Sequence, residues 1–203
     1  MNYLAHFHLS YGDDQLLLGA LLGDYIKGPL RGRLDPGLER GIWLHRKIDA
    51  FTDRHPPLRE LQLDFAPPFR RYGGIMTDVV FDHFLSLHWR DFHHRPLHQF
   101  TGEVYRLLDA RPLPHTDARQ QAERLVRYDV LGSFHHWDTV EAALARIHTR
   151  LSRDNPLSGA AAELRRHYGE LEKGFLDFYP QLCRHCDALR NDLISVPQPH
   201  SQR

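Results

Sequence analysis

Cysteine is scarce in this chain: two thiols in 203 residues cannot form the disulfide framework of a small secreted protein. They are Cys183 and Cys186, a C-x-x-C pair without the further spaced ligands of a structural zinc site and without the βαβ setting of a thioredoxin-like motif. Both read as ordinary thiols on the last helix. Net charge is lacking as well. With 26 basic residues against 26 acidic, the chain has no broad cationic field of the kind a dedicated nucleic-acid binder needs. No apolar run reaches the roughly 18 residues of a membrane span and no cleavable signal is evident, so a soluble, cytoplasmic protein is expected. Nor does any stretch alternate apolar and polar residues with β-branched enrichment between turn signals, which argues against a sheet.

What remains is helix after helix. Residues 16–25 are apolar at helical spacing. Asp35 and Pro36 supply an N-cap and a first-turn proline for a helix reaching about residue 54, which His55-Pro56-Pro57 stops, and Gly73-Gly74 opens another. Further periodic stretches cover residues 96–110, 116–128, 139–151 and 157–189, separated by turn signals. A hydrophobic content of 41% over this length suffices for one sizeable core. The expectation is an all-α, single-domain helical bundle over residues 1–194, followed by a loose polar tail over residues 195–203.

Two of these helical segments carry chemistry. In residues 41–53, His45, Asp49 and Asp53 recur at four-residue steps; in residues 77–89, Asp78 and Asp82 do the same, with His83 next. An α-helix advances roughly 100° per residue, so partners four apart lie about 40° apart and converge on one object. Carboxylates crowded into a partly buried site repel one another and lose hydration, and a divalent cation offsets both penalties. Mixed imidazole and carboxylate ligation suits Mn, Fe or Zn, with Mg favouring fewer imidazoles.

Sixteen histidines do not make one site. His93, His94 and His98 lie in a polar connector, and His135 and His136 sit beside Trp137 in a turn, positions that suit surface or packing roles. His6 and His8 stand in an otherwise apolar opening segment, where an imidazole is either a hydrogen-bonded core residue or part of a site. Asp24 closes an apolar helix, a place for a charge that meets solvent or a partner. Between residues 27 and 71 lysines and arginines outnumber acids; a phosphate or an acidic protein would fit there, as would an ordinary solvated face.

Four blocks carry a family resemblance: Asn-Tyr-Leu-Ala-His-Phe-His-Leu from Asn2, Leu-Leu-Gly-Asp-Tyr-Ile-Lys-Gly around Asp24, Gly-Ile-Trp-Leu-His-Arg-Lys-Ile-Asp-Ala-Phe-Thr-Asp from Gly41, and Asp-Val-Val-Phe-Asp-His-Phe-Leu-Ser-Leu-His-Trp from Asp78. In this order they closely resemble the acyl carrier protein phosphodiesterase family, and later Leu-Val-Arg-Tyr and Phe-Tyr-Pro pieces extend the likeness to about Pro180. The resemblance implies a metal-dependent hydrolase, with manganese the usual ion and Mg²⁺, Fe²⁺ or Co²⁺ as alternatives. Such an enzyme removes 4′-phosphopantetheine from holo acyl carrier protein by cutting the phosphodiester to the carrier's serine. It also implies a distant relation to the all-helical HD-domain phosphohydrolases, whose His-Asp dipeptide appears here in reverse as Asp82-His83.

On that resemblance the metal ligands are drawn from His6, Asp24, His45, Asp49, Asp78 and Asp82, with His83 a further ligand or a general acid. A bound divalent ion would acidify water and polarise the phosphoryl oxygen; Asp78 would orient the water and His83 would protonate the leaving seryl oxygen. Arg46 and Lys47 would meet the phosphate. Lys27, Arg31 and Arg33 would dock the acidic carrier, the expected partner in place of nucleic acid or membrane. Two other classes stay open: an HD-like phosphohydrolase acting on a nucleotide or another small diester, and a non-catalytic helical interaction protein using these groups as buried hydrogen-bond networks. A haem bundle fits poorly, since aspartates are poor haem ligands and no C-x-x-C-H sequence occurs.

Overall fold

The computed structural model describes residues 1–195, which form helices and no strand; the tail expected over 195–203 lies, beyond the last residue of the final helix, outside the described residues. Helix α1 (Tyr3–Leu9) opens the chain, followed by α2 (Asp14–Leu22) and α3 (Pro36–Arg54). Asp13 starts α2 by accepting hydrogen bonds from the amides of Gln15 and Leu16 at 2.8 and 3.1 Å, and Asp35 starts α3 by accepting from Gly37 at 2.7 Å. Every residue of α2 from Leu16 to Leu22 is buried, so this helix must be covered on all sides. It meets α3 backbone to backbone at Gly19 and Gly41: a Cβ on Gly19 would stand 2.5 Å from the Gly41 Cα. That close approach carries the C-terminal end of α2, and Asp24 just beyond it, over the turn of α3 that holds His45.

The His55-Pro56-Pro57 stop is also a start. Proline suits the first helical turn because its missing N–H would be unpaired there, and α4 (Pro56–Leu63) begins at once, followed by α5 (Pro67–Arg70). Helix α6 (Gly73–Leu87) is the central strut, with Val79 to Ser86 buried without interruption. Around it run α7 (Trp89–Phe92), α8 (Leu97–Ala110), α9 (Thr116–Arg127) and, after a 3₁₀ turn over Gly132–His135, α10 (Trp137–Arg150).

The periodic stretch 157–189 is three pieces rather than one: a 3₁₀ turn over Leu157–Gly159, α11 (Ala160–Arg166) and α12 (Tyr168–Ser195). The break falls at His167, where φ −108° and ψ 17° leave the helical region, and the apolar pattern runs across it because Leu164, Leu171 and Phe175 are all buried in the same core. Helix α12 lays Phe175 and Phe178 against Phe81 of α6, with ring centroids 5.3 and 6.1 Å apart, an aromatic packing that fixes where α6 sits. Cys183 and Cys186 on α12 are unbridged, and burial pushes both thiols up to about 12. Among the described residues no helix is long and apolar enough to cross a membrane.

Candidate metal centre

Helices α1 and α3 bring two imidazoles face to face. His6 from α1 and His45 from α3 stack with centroids 3.9 Å apart and planes 15° from parallel. One carboxylate serves both: His6 Nε2 lies 3.1 Å from Asp49 Oδ1, and His45 Nε2 lies 3.1 Å from Asp49 Oδ2. The second contact is the one-turn step along α3. His6 and His45 are 2% and 4% exposed, whereas the Asp49 side chain is 39% exposed, so the group opens to solvent on the carboxylate side. His6 Nε2 also meets the Met1 carbonyl at 3.1 Å. With only acceptors around each Nε2, the proton of either neutral ring sits on that atom, and both Nδ1 atoms are buried without a hydrogen-bond partner among the described residues.

Two more carboxylates stand beside this trio. Asp24 Oδ1 is 3.8 Å from His45 Nε2. Asp78, on α6, holds the Met1 ammonium at 2.8 Å, and Asp49 meets the same ammonium at 3.4 Å. Burial alone would lower that amine, but Asp78 and Asp49 raise it to about 11. Burial raises Asp78 above the usual carboxylate range against the opposing pull of the ammonium. Burial would raise Asp49 too, but hydrogen bonds from His45 and His6 hold it well below that range. His6 is lowered to about 4 by burial and by the neighbouring His45.

A first-row divalent ion fits these residues. Donor atoms of His6, His45 and Asp49 lie within 4.8 Å of one another, the mixed nitrogen and oxygen set is the one such ions take, and the carboxylates already hold a cationic ammonium away from water. Of the six residues expected as the ligand pool, His6, His45 and Asp49 converge, and Asp24 and Asp78 border them.

Asp82 is engaged elsewhere. It is fully buried and both its oxygens are engaged, accepting from the amides of Leu4 and Ala5 at 2.8 and 3.0 Å. These are first-turn N–H groups of α1, so Asp82 caps that helix from a distance and fixes the turn that carries His6. Burial pushes its carboxyl up to about 7 against the two amides. His83 is engaged elsewhere too. Its Nδ1 donates to the Phe134 carbonyl at 2.7 Å and its Nε2 accepts from the Tyr168 hydroxyl at 3.0 Å, so both nitrogens are hydrogen-bonded away from the trio; adjacent residues on α6 point about 100° apart. His8 is committed likewise, to the Tyr179 hydroxyl and the Phe92 carbonyl.

The expected phosphate contacts also change. Arg46 donates to the carbonyls of Gly28 and Ile26 at 2.8 and 2.7 Å, which makes it a clamp on the loop between α2 and α3. Lys47 is exposed, its ammonium 5.3 Å from the Trp43 ring centroid. On the same loop Lys27, Arg31 and Arg33 are exposed, and the Glu39 carboxylate accepts from the amides of Gly32, Arg33 and Leu34 at 3.1, 3.0 and 3.3 Å, so these cations sit on a fastened loop.

A cavity of about 650 Å³ adjoins the centre, sharing Met1, Asp24 and Asp78 with it and reaching across to α9 and α10. Its arginines, Arg124, Arg146 and Arg150, were not singled out in the sequence. No local spacing marks them, because only the tertiary packing sets them around the same cavity as Asp24 and Asp78.

Comparison with known proteins agrees with the motif reading. No solved structure matches the chain at a significant level. The family model described as acyl carrier protein phosphodiesterase matches residues 1–182. Among curated relatives, the acyl carrier protein phosphodiesterase of Serratia proteamaculans is 34% identical over 197 residues, covering 90% of this chain and 95% of the relative. The protein of that name from Salmonella agona is 35% identical over 188 residues, covering 90% and 95%. Its counterpart from Photorhabdus laumondii is 32% identical over 213 residues, covering 98% of this chain and 100% of the relative. With three conserved-length relatives above 30% identity and a model spanning nearly all the described helices, this chain belongs to the acyl carrier protein phosphodiesterase family.

Proposed function

We propose that this chain is a metal-dependent phosphodiesterase that hydrolyses the 4′-phosphopantetheine-serine diester of holo acyl carrier protein, giving apo carrier and 4′-phosphopantetheine. The observation that carries the reading is the convergence of His6, His45 and Asp49 on one mixed donor site, in a chain of this family. With each ring proton shifted to Nδ1, His6 Nε2, His45 Nε2 and the Asp49 carboxylate would hold the ion, with Asp24 at its exposed edge; manganese is the first choice, with Mg²⁺, Fe²⁺, Co²⁺ or Zn²⁺ as alternatives. When bound, a divalent ion supplies an acidified water and draws charge from the phosphoryl oxygen.

The chain's own residues do the positioning. Asp78, on the wall shared by the centre and the cavity, orients the attacking water through its carboxylate. Asp82 holds α1, and with it the His6 ring, at a fixed distance from α3. Arg46 and Glu39 fasten the loop bearing Lys27, Arg31 and Arg33, whose charges steer an acidic carrier toward the mouth of the site. A location in the cytoplasm, with the carrier, follows from this substrate. The relation to HD-domain phosphohydrolases rests on the same helix-borne His and Asp set.

Intact-mass analysis of holo carrier incubated with purified protein and Mn²⁺ tests the reading. The expected result is loss of the phosphopantetheine mass and release of 4′-phosphopantetheine. An unchanged carrier alongside cleavage of small phosphodiesters would move the activity to a nucleotide or similar substrate. Metal-independent inertness toward both would leave a helical interaction protein.

A further inference from the structure

The cavity beside the centre has the make-up of a ligand site. Its volume of about 650 Å³ lies within the roughly 300–1,000 Å³ of small-molecule pockets, which pair apolar walls with a few placed polar groups. Ile75 and Val79 from α6 face Ala143 and Ile147 from α10, with Phe134 between the two helices in the chain. Gln121, Ser133 and Thr139 add hydrogen-bonding groups.

Its cations are distributed in a useful way. Arg150 lines the cavity together with Tyr3 and Asp24, and its charge acts on the Tyr25 hydroxyl. Tyr25 follows Asp24, and Asp24 is 3.8 Å from His45 Nε2, so Arg150 marks the end of the cavity next to the metal centre. Arg124 lines the cavity from α9, and its Nε is buried without a hydrogen-bond partner among the described residues. A buried donor left without an acceptor is costly unless something supplies one.

We propose that this cavity seats the phosphopantetheine arm of the carrier, with Arg150 gripping the phosphate end beside His45 and Arg124 donating to an amide carbonyl farther along the arm. The proposal rests on the phosphodiesterase reading and adds the substrate subsite to it. The occupant's chemistry matches the walls. The arm carries one phosphate, a branched apolar segment and two amides, and the cavity offers an arginine fork for the phosphate, aliphatic walls and scattered polar groups. It also supplies the phosphate contact that the clamped Arg46 does not.

Two measurements keep the cavity and the reaction apart. Intact-mass analysis of holo carrier with wild-type protein and Mn²⁺ reads the reaction; calorimetric titration with free 4′-phosphopantetheine reads the cavity. Arg150→Gln, at an exposed position, and Ala143→Phe, which fills the cavity, are each expected to weaken 4′-phosphopantetheine binding at least tenfold and to raise KM for holo carrier. Both variants should keep the Mn²⁺ affinity and the unfolding temperature of the parent. Wild-type turnover together with unchanged affinity and KM in both variants would overturn the cavity assignment and leave the reaction standing. If the wild type failed to turn over, the reaction would be lost; a titration in which it bound 4′-phosphopantetheine and the variants did not would still uphold the cavity, and one in which it bound none would overturn it.

Discussion

Gly23 lies against the face of His45 so closely that a Cβ on it would stand 2.2 Å from the imidazole Cγ. The backbone there is ordinary, with φ −55° and ψ −32°, so glycine is needed for the space and not for its conformational range. The His45 ring is thereby fixed between the end of α2 on one side and His6 on the other.

Gly23→Ala is expected to push His45 off its stacking position and to weaken Mn²⁺ binding by about 10- to 100-fold, the usual scale for loss of support around a ligand, with the helical circular dichroism retained. Calorimetric titration with Mn²⁺ measures it. Gly102→Ala is the control: a Cβ there meets nothing within 4 Å, so removing a mid-helix glycine should stabilise the protein by about 0.5–1 kcal/mol and leave metal affinity alone.

Asp82→Ala separates anchoring from ligation. Two first-turn amides of α1 would be stranded in a fully buried position, a loss of about 1–3 kcal/mol for each, read as a lower urea midpoint with an unchanged m-value. The folded fraction should still bind Mn²⁺. Asp49→Asn should do the reverse, keeping a cooperative fold and losing the metal.

Residue spacing shows which groups share a helix face, and what it leaves out has one cause. The four-residue step from His45 to Asp49 places both on one face of α3, and in the structure the Asp49 carboxylate meets His45 along that face and His6 from α1. The all-α architecture followed from apolar periods and from the absence of alternating runs. Spacing along α6, however, says which residues share a helix face without saying what that face meets. Asp82 meets the start of α1, and His83 meets Phe134 and Tyr168. Arg46 looked like a phosphate contact because it neighbours His45, yet the loop preceding α3 sets carbonyls in its path. The cavity was out of reach for a similar reason: Arg124 and Arg150 belong to helices far along the chain from Asp24.

Acid should loosen the fold through its buried neutral imidazoles. Burial lowers His83 from the usual 6.5, and lowers His8 to about 4, each against an opposing backbone hydrogen bond. A histidine held below its unfolded value favours folding fully above pH 6.5, and that contribution fades as pH falls from 6.5 toward the folded value. Thermal unfolding followed from pH 7.5 to pH 4.5 should show a declining Tm below pH 6.5. His83→Gln, which keeps hydrogen-bonding capacity without titrating, should flatten part of that decline.

Charge reversal at Arg31 and Arg33 tests the docking loop. Arg31→Glu with Arg33→Glu should slow carrier cleavage at low ionic strength by about tenfold or more and reduce its salt dependence, because steering acts on encounter and is screened by salt. Initial rates between roughly 20 and 300 mM NaCl, over which the screening length falls from roughly 20 to roughly 6 Å, measure it. An unchanged salt profile would place docking on another face.

Crystals of the protein soaked in MnCl₂ and measured for anomalous scattering give the most direct reading of the centre. The account predicts one strong peak within coordinating distance of His6 Nε2, His45 Nε2 and the Asp49 carboxylate. A peak bound by other residues, or none in crystals of protein that still cleaves holo carrier, would contradict it.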